Sequence, residues 1–231
     1  MVAIVGENGS GKTSLLKVMG GLLEPDAGQV VVDGCPLRVI DKASYRRMCG
    51  FVFQRSLLID RTIRETISYR LDSMLDDAAA FAALEKTGLA AFVSKLQDGL
   101  DTMVGELGSQ VSGGELQRLG ITRELIYRPS VLFLDESTSS VDKVAERSIF
   151  SLLREVCKET AMTTIFVAHG LSTLDYADFV YVMQSGEVVS AGTLTEVRKS
   201  PFFESLFASQ LGAKCTAGGL EGIEKTRASM S

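Results

Sequence analysis

The chain has no excess of positive charge: 24 Lys and Arg stand against 29 Asp and Glu, a net charge of -5 over 231 residues. That balance leaves no general basic patch for wrapping a nucleic acid, so none is expected as a partner. Cysteine is sparse. Cys35, Cys49, Cys157 and Cys215 are widely scattered and form no CxxC pair, which excludes a disulfide framework or a zinc site and fits reduced thiols. Histidine occurs once, at His169. No apolar run approaches the roughly 18 to 20 residues needed to cross a bilayer, and the N-terminus lacks the charged and apolar regions of a signal peptide. The chain therefore reads as soluble by itself, with any membrane channel supplied by another polypeptide or segment. What is present is an apolar fraction of 45%, enough for a real core, in a length that suits one large α/β unit with an inserted subdomain.

The strongest local signal is GENGSGKT, Gly6 to Thr13, directly after the apolar run Val2, Ala3, Ile4, Val5. It reads as strand, glycine loop, helix, with Gly6 and Gly11 bracketing Glu7, Asn8, Gly9 and Ser10 ahead of Lys12, Thr13 and Ser14. Gly6, Gly9 and Gly11 let the backbone take conformations closed to bulkier residues, so consecutive N–H groups turn inward around a polyphosphate. The helix SLLKVMGG aims the positive end of its dipole at the same place. Lys12 adds a full charge for the outer phosphates, and the Thr13 hydroxyl suits a magnesium ion carried by them.

After this helix, Glu24 to Gly28 reads as a turn, QVVVD as a strand, and Asp33-Gly34 as a hairpin signal, which together predict a short antiparallel patch. Residues 41–48 read as helix, and GFVF, Gly50 to Phe53, as a strand delivering Gln54. From about 60 to 128 the pattern turns helical, in TIRETISYR, LDDAAAFAALEKTG and GELQRLGITRELIYR, with an irregular glycine-rich stretch from Gly99 to Ser112. This is the candidate inserted subdomain. VLFLDE, Val131 to Glu136, then reads as a strand covered on both faces, residues 142–158 as a helix, and TTIFVAH as another buried strand. FVYVM and EVVSAG flank Ser185-Gly186 as a closing hairpin, and short helices follow near Glu196 and Phe203. The fold domain is read as 1–211, and the composition of 212–231 predicts a disordered tail.

Four further positions carry chemistry. VLFLDE ends in two carboxylates at a strand's C-terminal edge, where ligands gather in open α/β sheets, so Asp135 suits magnesium and Glu136 suits polarising a water. VSGGELQR opens a helix with Ser112, Gly113 and Gly114, an anion site of hydroxyl, amides and helix dipole. Ser112 and Glu115 also form a capping box, and both readings hold together. His169, just after a buried strand, is placed to meet a γ-phosphate or a water. Gln54 offers a carbonyl oxygen to metal or water.

These motifs in this order resemble the nucleotide-binding domain of ABC ATPases over about residues 1–210. The phosphate loop matches the family's Walker A motif, Gln54 its Q-loop, and Ser112 to Glu115 its signature motif. VLFLDE corresponds to Walker B, Ser139 to Asp142 to the D-loop, and His169 to the switch histidine. RTIRETI at Arg61 to Ile67, TMVGELG at Thr102 to Gly108 and SAGTLTEV at Ser190 to Val197 are similar to segments of the exporter branch. The resemblance implies a RecA-like P-loop NTPase core with an antiparallel patch and a helical insertion. It further implies ATP and magnesium, Glu136 as base, His169 supporting the γ-phosphate, and a head-to-tail dimer. In that dimer, with an identical or a different ATPase domain, each ATP lies between Gly6 to Thr13 of one subunit and Ser112 to Glu115 of the other. The implied setting is the cytoplasmic face of a membrane, against a transmembrane partner.

The chain departs from the family pattern in three places. Glu115 stands where members usually carry Gln, adding a negative charge near the partner's phosphates. Leu107 occupies a position where exporters often have Arg. Only five residues precede Gly6, so the family's two leading strands and their adenine-stacking aromatic residue are not in the sequence. The alternative expectation is therefore a nucleotide-binding fragment with little turnover.

Overall fold

A computed structural model describes residues 1–53, 60–104, 111–135 and 143–208. The described chain runs β1 (Val2–Gly6), α1 (Lys12–Met19), β2 (Val31–Val32), β3 (Cys35–Pro36), α2 (Lys42–Met48) and β4 (Cys49–Val52). Then come β5 (Arg61–Thr62), α3 (Ile63–Ser68), α4 (Asp77–Lys86), α5 (Ala90–Val93), β6 (Met103–Val104) and α6 (Gly113–Tyr127). It continues through β7 (Val131–Leu134), α7 (Lys143–Thr160), β8 (Thr163–Val167), α8 (Leu171–Leu174), β9 (Phe179–Gln184) and β10 (Glu187–Gly192), ending in α9 (Leu194–Val197) and α10 (Pro201–Leu206).

Six strands form one sheet in the order β10-β9-β1-β8-β7-β4, parallel except for β10. Strand alternation fills a core on each side. Ala3 and Val5 of β1 and Leu132 and Leu134 of β7 join Ile149, Phe150 and Leu153 of α7 on one face. Ile4 and Phe133 join Leu16 of α1 on the other. With helices on both faces and a strand–glycine loop–helix at the middle strand, this is the mixed α/β core of a P-loop NTPase.

Between β4 and β7 the chain builds a separate core from Ile63, Ile67, Ala80, Leu84, Leu89, Val93, Val104 and Leu119. α6 belongs to both units, since Leu119 lies in this cluster and Ile121 in the sheet's. Two starts in this region are set by caps. The Thr62 and Glu65 capping box opens α3 at Ile63, later than TIRETISYR suggests, and Asp76 caps α4 through Ala79 N–H. Ahead of α3, Arg61 and Thr62 pair with Val104 and Met103, a two-stranded patch inside the stretch read as helical or irregular.

QVVVD is strand over Val31 and Val32 alone: the Val30 carbonyl still accepts from Leu37 N–H at 2.8 Å in the same register, but Leu37 to Val39 then coil into a 3-10 turn that ends the ladder. Asp33 and Gly34 both take positive φ (48° and 81°), as their tight turn requires. Ser185 and Gly186 (49° and 87°) do the same between β9 and β10. Among the described residues no helix is long and apolar enough to cross a membrane. The tail reading at 212–231 lies outside the described residues.

Candidate functional site

Parallel pairing brings four strand ends to one edge. Ile4 is in register with Val167, Phe166 with Leu134, and Leu134 with Val52. The ladder extends one residue further on two strands, where Ala168 N–H donates to the Ile4 carbonyl (3.1 Å) and Asp135 N–H to that of Val52 (2.9 Å). These residues therefore share this edge: Gly6 at the end of β1, His169 after β8, Asp135 after β7 and Phe53 after β4. His169 is exposed.

The loop from Gly6 to Gly11 folds back over the start of α1. Gly9 and Gly11 take positive φ (80° and 95°), and Gly11 caps α1 without a side-chain hydrogen bond. The cap residue itself therefore brings no side chain to compete for the first amides of the helix. The Lys12 ammonium curls under the loop and donates to the carbonyls of Gly6 (2.9 Å) and Glu7 (2.8 Å). A depression of about 350 Å³ opens there, lined by Asn8, Gly9, Gly11, Lys12, Thr13 and Ser14. Its size lies in the range of small-ligand sites.

The Thr13 hydroxyl donates to Asp135 Oδ1 at 3.0 Å, joining α1 to the end of β7 across 122 residues of sequence. Two oxygens so placed fit a small hard cation that takes its remaining ligands from phosphate and water. Among the described residues no three His, Cys, Asp or Glu side chains gather into a metal cluster, so a cation held only by such side chains has no place there. The polyphosphate fits as well. The Ser10 hydroxyl is buried under the loop without a hydrogen-bond partner, and a Cβ added at Gly9 meets nothing within 4 Å.

At the other candidate anion site, Ser112 caps α6 and Glu115 closes the capping box, accepting from Ser112 N–H and from its hydroxyl, both at 2.7 Å. The acidic side chain at this position thus turns back on its own helix end. Ser112 and Gly113 are exposed, and none of residues 112–115 lines the depression at the phosphate loop. Gln54, Glu136, Leu107 and the stretch from Ser139 to Asp142 lie outside the described residues.

The β9–β10 hairpin is a part of the site that motif reading missed. The Gly186 N–H donates to the Ser10 carbonyl (3.1 Å), and Met183 pairs with Gly6 in the sheet. The Ser185-Gly186 turn was a visible signal, but nothing local tied it to a loop some 175 residues earlier.

Comparison with known proteins agrees with this arrangement. The family model described as "ABC transporter" matches residues 1–139. The cyclolysin secretion/processing ATP-binding protein CyaB of Bordetella pertussis is 40% identical over 194 residues, 84% of this chain and 27% of that protein. The alpha-hemolysin translocation ATP-binding protein HlyB of Escherichia coli is 38% identical over 208 residues, 90% of this chain and 29% of that protein. A solved structure of a bacterial Atm1-family ABC exporter with ATP bound superposes with a TM-score of 0.84 at 34% identity, covering 91% of this chain and 37% of that one. The chain thus spans under a third of the length of these curated relatives. Since the family match takes in more than half of its residues, and its sheet edge carries the phosphate loop beside Asp135, the chain belongs to the ABC transporter family.

Proposed function

We propose that this chain is the ATP-binding and hydrolysing part of an exporter-type ABC transporter. The observation that carries the reading is the phosphate loop itself. Its depression is walled by glycine backbone, Lys12 and Thr13, and the Thr13 hydroxyl sits 3.0 Å from Asp135 Oδ1. Residues Gly6 to Ser14 hold the phosphates, and Lys12 exchanges its two carbonyl partners for phosphate oxygens when ATP binds. Thr13, Asp135 and Gln54 would hold magnesium, which would supply positive charge against the outer phosphates. Glu136 takes the proton of the attacking water, and His169 supports the γ-phosphate from the end of the next strand.

The exposed end of α6 completes the reading. Ser112, Gly113, Gly114 and Glu115 stand apart from the chain's own loop and close on the ATP of a second ATPase domain, identical or different, in a head-to-tail pair. Closure drives a transmembrane partner at the cytoplasmic face of a membrane. Sedimentation of the Glu136→Gln chain tests this, with a monomer expected without nucleotide and a dimer with ATP. An ATP-bound monomer overturns it.

A second reading, nucleotide binding with little turnover, is favoured by the lining of the depression, which contains no aromatic ring among the described residues. Stacking of a base on an aromatic side chain contributes about 1–3 kcal/mol. Calorimetry separates the two: weak ATP binding with no phosphate release supports the second.

A further inference from the structure

Outside the phosphate site, one carboxylate among the described residues is buried: Glu124 on α6, 2% exposed. Its Oε2 accepts from Arg70 Nη1 at 2.5 Å and its Oε1 from Arg123 Nε at 2.9 Å. Arg70 reaches further. The same Nη1 donates to the Cys49 carbonyl at the base of β4 (3.0 Å), and Nη2 faces the carbonyls of Arg46 and Arg47 at the end of α2 (3.4 and 3.5 Å). Its guanidinium lies 3.7 Å from the centre of the Tyr127 ring. Gly50 leaves room for the cluster, since a Cβ there meets Glu124 Oε2 at 3.1 Å.

Stability alone is a poor reason for this arrangement, because a well-packed apolar pair of similar volume often holds a fold together as well as a buried ion pair. What a rigid fork with several acceptors fixes is direction. At about 1.5 Å per residue, Glu124 lies about 18 Å along α6 from Ser112. A tilt of about 10° about Glu124 moves Ser112 by about 3 Å, more than a hydrogen bond tolerates. The core side of the lever is held by the same group, since Arg70 binds the first carbonyl of β4.

We propose that Arg70 is a positioning residue: its guanidinium locks the angle between β4 and α6, and through α6 the placement of Ser112 to Glu115. The inference rests on the reading that this helix end encloses ATP in a second domain. None of the clamp residues lines the depression at the phosphate loop, so ATP binding to the isolated loop is unaffected by it.

Arg70→Lys is the decisive variant, because it leaves Glu124 a cationic partner and removes the fork. Three measurements on the full chain apply: ATP binding by calorimetry, phosphate release, and amide hydrogen exchange without nucleotide. The ATP dissociation constant is expected to stay within about twofold while kcat falls about tenfold or more. Amides of α6 exchange about tenfold faster or more, with those of β1 and β8 unchanged. Parental turnover in Arg70→Lys, or a loss of ATP binding as large as the loss of turnover, overturns the proposal. If the parent chain itself releases no phosphate, the proposed function fails, and exchange alone decides the clamp. Parental exchange in both Arg70→Lys and Arg70→Met then overturns it.

Discussion

Replacing Gly6 and Gly9 by alanine, one at a time, separates what the phosphate loop owes to folding from what it owes to its ligand. At Gly6 a Cβ meets the Met183 carbonyl oxygen at 2.3 Å and Ser10 Oγ at 2.6 Å. The carbonyl is backbone of β9, in register with Gly6, so relief requires the two strands to part. Such overpacking costs about 3 kcal/mol or more. At about 2–4 °C per kcal/mol for a chain of this size, Gly6→Ala lowers the Tm by about 6–12 °C.

Gly9 differs on both counts. Its φ of 80° strains any L-residue, at about 1–2 kcal/mol, or about 2–8 °C in Tm. A Cβ there touches nothing, because the space in front of it is the depression lined by Gly9 and Lys12. The methyl stands where phosphate binds, so ATP affinity falls about tenfold or more, equivalent to about 1.4 kcal/mol. Differential scanning calorimetry and ATP titration measure the two effects. The reasoning is refuted if Gly6→Ala melts no lower than Gly9→Ala, or if Gly9→Ala binds Mg-ATP as the parent does.

Thr13→Val removes the hydroxyl that sits 3.0 Å from Asp135, and raises the magnesium needed for half-maximal turnover by about tenfold or more; a magnesium titration at fixed ATP that matches the parent contradicts this. Glu115→Ala loses the two hydrogen bonds to Ser112 and about 0.3–1.5 kcal/mol by urea unfolding. Glu115→Gln keeps the acceptor, sheds the charge and speeds ATP-driven dimerisation in stopped-flow scattering, and a slower association counts against repulsion at this site. Glu196 answers to pH. Its carboxyl sits below its ordinary value because Thr193 N–H, then the Thr193 hydroxyl, donates to it. A depressed folded value gives stability that is present above the unfolded value and lost as pH falls through the folded one. Glu196→Gln therefore flattens the acid limb of the stability curve, and an unchanged limb contradicts the cap's ionic character.

Local chemistry explains which parts were legible in the sequence. Glycine spacing, Lys12 and Thr13 announce a phosphate loop because each acts on backbone within a few residues, and the paired positive-φ turns at Asp33-Gly34 and Ser185-Gly186 are legible for the same reason. QVVVD misleads about length, since strand preference says nothing of the 3-10 turn at Leu37 to Val39 that ends the partner strand. Contacts that depend on topology leave no local trace. Thr13 meets Asp135 across 122 positions and Arg70 meets Glu124 across 54, and only the parallel strand order and the return of α6 bring these pairs together. The motifs named Asp135 and Ser112 one at a time. The fold shows that one sits on the chain's own phosphate loop while the other faces outward.

Steady-state phosphate release from Mg-ATP, compared between the parent chain and Glu136→Gln, tests the central claim most directly. The account predicts magnesium-dependent turnover in the parent that disappears in the variant while ATP still binds. Turnover that persists unchanged in Glu136→Gln contradicts it.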